Sequence, residues 1–266
     1  MRNATAFTRA VSPRLAECET SQVFAEPIDA VRAAAQHAAY ERALAAAGLA
    51  IVRLAALPDF PDGVFVEDTA VLLGRHAIVT RPGAASRAGE TASVTERLSD
   101  VFIVHRLGAG HVEGGDVLRI GTTLYVGLSG RTDRAGIRAL GDLAGPLGYE
   151  MVPVPVAGCL HLKSAATFAG PDAGGIPVLI HNPDWVSAAA FGRVEPLAVA
   201  PGEAHGANVA RAGATLLAAA DSPRTAALLS ARGFDVAILD ISEMRKADAA
   251  LTCMSLIADD LGEGRP

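Results

Sequence analysis

The chain is short of cysteine, of long apolar runs and of clustered basic residues, and each shortage excludes something. Three cysteines in 266 residues, Cys18, Cys159 and Cys253, cannot form a fully paired disulfide framework. No C-x-x-C spacing occurs either, so a reducing cytoplasm is the expected compartment. The longest apolar span, 43–57, is interrupted by Arg53 and is shorter than the roughly 20 residues a membrane helix needs. Met1-Arg-Asn-Ala-Thr leads into no apolar signal core, so neither a leader nor a membrane anchor is expected. No lysine-rich block exists, lysines and aromatics are too sparse to cluster, and 23 basic residues stand against 29 acidic ones for a net charge of −6. Nucleic acid is therefore not an expected partner, whereas the acidic balance is compatible with a cationic small molecule.

What is present is a large apolar fraction. Half of the residues are hydrophobic and a fifth charged, enough for a sizeable core and against disorder. The opening pattern predicts a helix from Phe24 to Gly48, with Pro27 in its first turn, a stripe of Ile28, Val31, Ala35, Ala38 and Leu44, and Gly48 as its stop. A short strand, Ile51-Val-Arg-Leu, follows, then a turn-rich loop from Pro58 to Gly63.

From there one unit returns. A polar start and a strand end at a glycine, a second strand follows, then a helical stretch and a third strand. The turn glycines are Gly74, Gly121, Gly170 and Gly213, and the third strands lie at Val101-Phe-Ile-Val, Met151-Val-Pro-Val, Leu197-Ala-Val and Val236-Ala-Ile-Leu. A period in the forties with these parts predicts a radial array of ββαβ modules, an α/β-propeller. A fifth unit joins the N-terminal segment to the strand around Met254 to Ala258, closing the ring and hiding the sheet edges. An ordinary open α/β sheet with coincidental spacing is the alternative that periodicity leaves open. No linker divides the chain, so one domain is expected over 1–266, with a tail after about residue 258.

In such an array each unit's first strand lies near the axis, and polar residues at its start converge on one end of the channel. These are Glu67 and Asp68, Glu113 and Asp116, His161 and Lys163, Asn208, and Cys253. Singly, each has a bland explanation: carboxylates before strands cap turns, Gly114-Gly115 suits a tight turn, and a lone thiol beside apolar residues is commonly inert. Together they form an acid-rich pocket with one imidazole and one thiol. That set suits attack on a guanidinium, whose charge is nearly permanent and whose plane carboxylates hold bidentately. The cation would favour thiolate over thiol. An imidazole oriented by a carboxylate can protonate a leaving amine and then activate water.

Six motifs carry a resemblance: Phe60-Pro-Asp-Gly-Val-Phe-Val-Glu-Asp-Thr-Ala-Val, Thr80-Arg-Pro-Gly-Ala-Ala-Ser-Arg, Glu113-Gly-Gly-Asp-Val-Leu, Gly127-Leu-Ser-Gly-Arg-Thr, Leu160-His-Leu-Lys-Ser and Leu251-Thr-Cys-Met-Ser. In this order, from about Phe7 to Ile257, they resemble the dimethylarginine dimethylaminohydrolase family of the guanidine-modifying, pentein-type superfamily. The resemblance implies a five-bladed α/β-propeller that hydrolyses N-omega-methylated arginine to citrulline and a methylamine through a covalent S-alkylthiouronium. It implies Cys253 as nucleophile, His161 as general acid and then base, and Glu113 as the support of His161. Asp68 with Glu67 would grip the guanidinium, Asp62 matches a substrate-loop aspartate, and Arg87 and Arg131 match the arginines on the amino-acid carboxylate. The backbone at Ala247 matches a contact to the α-amino group, and Asp248 adds a carboxylate to the cage. Lys163 is read as structural, and Cys18 and Cys159 carry no role. Asp133 stands where the family often has asparagine, and the expected lid, Leu15 to Ser21, matches poorly, which leaves its contacts untransferred. No metal or organic cofactor is implied, and zinc on the Cys253–His161 pair would be adventitious. Oligomeric state stays open, a homodimer among the options. The rival readings are a sibling enzyme acting on free arginine or agmatine and a non-catalytic binding propeller. Agmatine has no α-carboxylate for two arginines to bind.

Overall fold

The computed structural model describes residues 4–20 and 26–258. In chain order, β1 (Thr5–Arg9), α1 (Ala30–Ala46) and β2 (Ala50–Leu54) come first, then β3 (Ala70–Leu73), β4 (His76–Val79), α2 (Thr91–Ser99) and β5 (Ile103–Arg106). The next unit is β6 (Val117–Ile120), β7 (Thr123–Leu128), α3 (Arg134–Ala144) and β8 (Glu150–Pro155). After it come α4 (Leu162–Ala165), β9 (Ala166–Pro171), β10 (Pro177–His181) and β11 (Glu195–Ala198). The last elements are β12 (Ala210–Ala212), β13 (Thr215–Ala219), α5 (Pro223–Ala231), β14 (Asp235–Leu239), α6 (Ser242–Lys246) and β15 (Leu256–Ala258).

The strands form five three-stranded sheets, ordered β3-β4-β5, β6-β7-β8, β9-β10-β11, β12-β13-β14 and β15-β1-β2. In each, an antiparallel pair is extended by a parallel strand, as with Val71 opposite Ile78 and Ile78 opposite His105. The fifth sheet joins the two ends of the chain: Thr5 pairs with Ala258 and Phe7 with Leu256, antiparallel, so the first and last strands hide each other's edges. This is the five-bladed α/β-propeller that the repeat predicts. The tail expected after about residue 258 lies outside the described residues.

The turn glycines have a physical reason. Gly74, Gly121 and Gly213 open two-residue hairpins with φ of 57°, 60° and 60°, a left-handed conformation that glycine adopts without penalty. Gly170 differs: it lies inside β9 with φ 98°, where the register with β10 slips between Val178 and Leu179.

Each sheet packs on its neighbour through a separate apolar cluster. One such cluster joins Val71, Leu73 and Ile78 of the second blade in space to Leu124, Val126, Ile137 and Leu140 of the next. Another joins Phe7 and Leu256 to Ala77, Val94 and Leu98, which seals the closing blade against its partner. The β9-β10-β11 blade departs from the ββαβ expectation. Between β10 and β11 it has only a 3-10 turn at Ala188–Ala190. Val186 and Phe191 fill the helix's place in that cluster, with the Phe191 ring 5.0 Å from Tyr125.

The first helix also corrects its expectation. Asp29 accepts from the backbone N–H groups of Val31 and Arg32 at 2.9 and 3.0 Å, an N-cap that starts the helix at Ala30, after Pro27. The expected start, Phe24, lies outside the described residues. The buried face is Ala33, Gln36, His37, Tyr40, Glu41 and Leu44, while Val31 is 81% exposed. Two of the polar residues on this face find partners: Gln36 on Ser242 and Glu243, Glu41 on Thr8 and Arg53. The helix stops at Gly48, φ 92°, as expected. No helix among the described residues is long and apolar enough to cross a membrane.

Candidate active site

The residues expected at the axis do not sit on the strands. Each blade's inner strand is preceded by a single helical turn: Val66–Thr69, Gly114–Asp116, α4, Ala204–Ala207 and Thr252–Met254. These turns pack on one another around the axis, Val66–Thr69 against both Gly114–Asp116 and Thr252–Met254, and α4 against Gly114–Asp116 and Ala204–Ala207. One turn delivers Glu67 and Asp68, Glu113 stands at the N-cap of the second, His161 at the N-cap of α4, Asn208 at the C-cap of the fourth, and Cys253 inside the fifth. The ring of turns gathers groups that are far apart in sequence.

At the centre, His161 Nε2 lies 2.6 Å from Glu113 Oε2 and 4.0 Å from Asp68 Oδ1, all three buried. Gly83 donates its N–H to the other oxygen of Glu113 at 2.9 Å, which fixes the carboxylate that orients the ring. Burial alone would lower the pKa of His161. The charge of Asp68, the hydrogen bond to Glu113 and the charge of Asp116 outweigh it and raise His161 to about 9. Asp68 shows the reciprocal effect: burial opposes its ionisation, but the charges of His161 and Arg87 hold it below the ordinary range. Cys253 is 9% exposed, and burial followed by the charges of Glu67 and Asp68 pushes its thiol up to about 12. With the pocket free of a cation, the site therefore holds a thiol and an imidazolium at neutral pH.

Two glycines form the cradle. A Cβ on Gly115 would stand 2.8 Å from both Asp68 Oδ1 and His161 Nδ1, and one on Gly114 would run into the carbonyl oxygen of Glu67. The Gly-Gly pair is thus required by close approach to the site and not only by a turn. Asp116, also expected in the pocket, faces elsewhere. Its oxygens accept from Ser129 Oγ at 2.6 Å and from the N–H of Leu162 at 2.9 Å, so it anchors the residue after His161. Asn208 clamps the turn that carries the thiol: its amide nitrogen reaches Thr252 Oγ1 at 3.0 Å and its oxygen accepts from Thr252 N at 3.1 Å.

Glu67 lies beneath. Lys163 Nζ is 2.7 Å from one of its oxygens and Thr252 Oγ1 2.8 Å from the other. Burial raises its pKa, with Lys163 acting against the rise. Lys163, read as structural, therefore pairs with the buried charge of Glu67. A cleft of about 390 Å³ lined by Cys159, Leu160, His205, Asn208, Arg245 and Asp248 opens beside these turns.

The two arginines have different surroundings. Arg87 is 4% exposed and held by Asp68 Oδ2 at 2.6 Å, by both oxygens of Glu90 and by the carbonyl of Phe65 at 3.0 Å. Of its five N–H donors, a single hydrogen on Nη1 is left for a ligand. Arg131 is more accessible. Its Nη1 lies 3.6 Å from Glu113 Oε1 and makes no hydrogen bond, and its Nη2 is 2.9 Å from Glu19 Oε2. The segment Leu15–Thr20 runs over this end of the site: Glu19 N donates to Asp62 Oδ2 at 3.2 Å and Thr20 Oγ1 to Asp248 Oδ2 at 3.2 Å. Ser21, the last residue of the expected lid, lies outside the described residues. Burial raises the pKa of Asp62, which faces this segment. Ala247 closes α6, and the following Asp248 has φ 54°, the left-handed conformation that non-glycine residues adopt at a cost and often at functional sites. Glu19, Ser86 and Thr252 were missed from sequence, the first because its segment matches no motif.

Asp68, Glu113 and His161 each present an atom within 4.8 Å of the others and could hold a cation together. In the geometry described, His161 Nε2 and Glu113 Oε2 are hydrogen-bonded directly to each other at 2.6 Å.

A five-bladed α/β-propeller with a thiol, an imidazole–carboxylate pair and further carboxylates at one end of its axis is a member of the guanidine-modifying, pentein-type superfamily. No family model matches the sequence. The chain is 40% identical over 264 residues to N(G),N(G)-dimethylarginine dimethylaminohydrolase of Streptomyces coelicolor, covering 96% of this chain and 97% of that one. It superimposes with a TM-score of 0.90, at 32% identity and over 97% of this chain and 99% of the other, on the Pseudomonas aeruginosa enzyme, a Cys-to-Ser variant complexed with citrulline. A His-to-Gly variant of a dimethylarginine dimethylaminohydrolase, an adduct with S-methyl-L-thiocitrulline, matches with a TM-score of 0.89 at 32% identity, over 97% of this chain and all of that one. The chain belongs to the dimethylarginine dimethylaminohydrolase family.

Proposed function

We propose that this protein hydrolyses N-omega-methylated L-arginine, as asymmetric dimethylarginine or monomethylarginine, to L-citrulline and dimethylamine or methylamine. The observation that carries the reading is the buried His161–Glu113 pair at 2.6 Å, beside Asp68 and in the ring of turns that includes the Cys253 turn. Asp68 and Glu67 would hold the guanidinium in plane. Its positive charge opposes the two carboxylates that raise the Cys253 thiol and so favours thiolate. The thiol proton leaves to solvent, and the Sγ lone pair forms a C–S bond to the guanidinium carbon, giving a tetrahedral adduct. The bond to the methylated nitrogen then breaks while His161, an imidazolium, protonates the departing amine. Water adds to the S-alkylthiouronium carbon as the now neutral His161 takes one of its protons, and the C–S bond breaks as the remaining hydroxyl proton passes to the sulfur, returning the thiol and the ureido group of citrulline. Glu113 keeps His161 oriented through both half-reactions. Arg131, whose Nη1 makes no hydrogen bond, would read the α-carboxylate, and the carbonyl of Ala247 the α-amino group. A reducing cytoplasm is the compartment that suits three free cysteines, one of them the nucleophile.

The test is citrulline release from asymmetric dimethylarginine, monomethylarginine, arginine and agmatine in parallel, with Cys253→Ser as the blank. Turnover confined to the methylated arginines, absent in the folded Cys253→Ser protein, is the expected result. Turnover of arginine or agmatine instead would move the substrate. Silence on all four would overturn the reading.

A further inference from the structure

The carboxylate of Glu19 sits in a cup of donors. Arg131 Nη2 approaches one oxygen at 2.9 Å, and Ser86 donates its hydroxyl to the other. The backbone N–H of the same residue is tied to Asp62. Arg87, next to Ser86 in the chain, adds its field, and the Ser86 hydrogen bond is the main reason that Glu19 ionises more readily than usual. A guanidinium fork, a hydroxyl and a second arginine nearby are what a free amino acid's α-carboxylate requires. Arg131 also links this cup to the catalytic centre, since its other terminal nitrogen is 3.6 Å from Glu113. The cup is thus one side chain away from the imidazole, at the end of the pocket where the amino-acid portion of an arginine would lie. It is filled by the protein's own carboxylate.

We propose that Glu19 is an internal occupant of the substrate's α-carboxylate subsite, displaced from Arg131 and Ser86 when a methylarginine binds, and that Ser86 is a further carboxylate donor of that subsite. The inference rests on the functional reading above. Its consequence is a specificity filter. A ligand with an α-carboxylate can take over the cup and restore the charge balance of Arg131. A guanidine without one has no group to exchange for Glu19, so it leaves the glutamate in the cup and gains nothing there. Glu19 has a half-exposed side chain, so its hold on Arg131 is that of an ordinary ion pair at a surface. Apparent affinity falls by the fraction of molecules in which the cup is open, which sets the expected effect at roughly threefold to tenfold.

The test is calorimetric binding of L-citrulline to the Cys253→Ser protein, alone and combined with Glu19→Gln, Glu19→Ala or Arg131→Gln. Citrulline carries the α-carboxylate and no side-chain charge, so the readout is independent of turnover. Glu19→Gln and Glu19→Ala should each tighten citrulline roughly threefold to tenfold. In the Arg131→Gln background the gain should shrink, because only one of the two groups they compete for, the Ser86 hydroxyl, is left. Carbamoylputrescine, citrulline without its carboxylate, should bind equally with and without Glu19. Citrulline that binds the parent but is not tightened by either Glu19 substitution overturns this proposal and leaves the functional reading intact. Citrulline that binds no variant, in folded protein, overturns both.

Discussion

Replacing Glu113 with glutamine removes one charge and little volume, and the structure gives the consequence in numbers. Glu113 Oε2 is 2.6 Å from His161 Nε2, and Gly83 N holds the other oxygen at 2.9 Å, so the amide can keep its place while losing the charge. The rise of His161 from 6.5 to about 9 is worth roughly 3 kcal/mol at about 1.4 kcal/mol per pH unit. Asp68, Glu113 and Asp116 share it against the opposing effect of burial. Losing Glu113 takes away a charge-assisted hydrogen bond, about 1.5–3 kcal/mol, which is roughly one to two pH units at the same conversion. Asp68, the largest of the raising charges, remains, so the His161 pKa should fall by about that much towards the ordinary histidine value.

The sign follows from linkage. A folded pKa above the unfolded one contributes stability that is complete below about pH 6.5 and is lost as pH rises through about 9. Wild type should therefore exceed Glu113→Gln in stability by the largest margin near pH 6, and the gap should close towards pH 9.5. Heteronuclear NMR titration of the histidine ring, assigned with a His161 variant, reads the pKa. Urea melts at the two pH values read the gap, and citrulline release at pH 7.5 should drop at least tenfold, within the range of lost acid–base catalysis. A His161 pKa that stays near 9 in Glu113→Gln, or a stability gap equal at both pH values, would refute the electrostatic account.

Two further substitutions test the framework around the chemistry. Gly115→Ala places a methyl 2.8 Å from Asp68 Oδ1 and His161 Nδ1. It should cost about 1–3 kcal/mol in a thermal melt and lower kcat by a larger factor than stability alone explains; a variant with unchanged kcat would show that the ring can shift freely. Asn208→Ala removes the bonds to Thr252 Oγ1, Thr252 N and the Lys163 carbonyl and leaves a backbone N–H short of a partner. Roughly 1–3 kcal/mol of stability and about tenfold in kcat should be lost, with KM little altered, by melting and steady-state assay; a KM effect alone would place Asn208 on the substrate instead.

The parts of the fold that were legible in the sequence are those that a local conformation enforces. Gly74, Gly121 and Gly213 must be left-handed for two-residue hairpins, so their recurrence announced the blades. The partnership of β1 with β15 followed from the cost of an open edge. What escaped was decided by tertiary partners. Gln36 and Glu41 face inward on α1 because Ser242, Thr8 and Arg53 meet them there, and no apolar stripe can reveal that. The β9-β10-β11 blade has no helix between β10 and β11 because Phe191 and Val186 fill the same space. The single turns that carry the site are too short for a periodic signal, so their residues were assigned to strands. Of the expected ligands, Arg87 is the instructive case. Its motif placed it on the substrate's carboxylate; in the structure it is held by the carboxylates of Asp68, distant in sequence, and of Glu90, an i,i+3 neighbour that spacing alone could have suggested.

On the roles proposed for Cys253 and His161, the protonation states of the site impose an order of events on the chemistry. Before a substrate arrives, the Cys253 thiol is held near 12 by burial and by Glu67 and Asp68, while His161 stays charged up to about 9. The thiol proton cannot pass to an imidazole that is already protonated, so a neighbouring base is not what creates the nucleophile. The remaining route is to change the field, and a guanidinium brings the opposite charge to the same carboxylates that suppress the thiolate. Each pH unit so recovered is about 1.4 kcal/mol, and one full positive charge within a few ångströms in a buried site is of the size needed to recover several. The acid required for the leaving amine is in place beforehand, because the carboxylates that discourage the thiolate are the ones that keep His161 protonated. A neutral isostere such as the ureido group of citrulline supplies no such charge, so after hydrolysis the thiol regains its high pKa, and the product is left without a nucleophile to attack it.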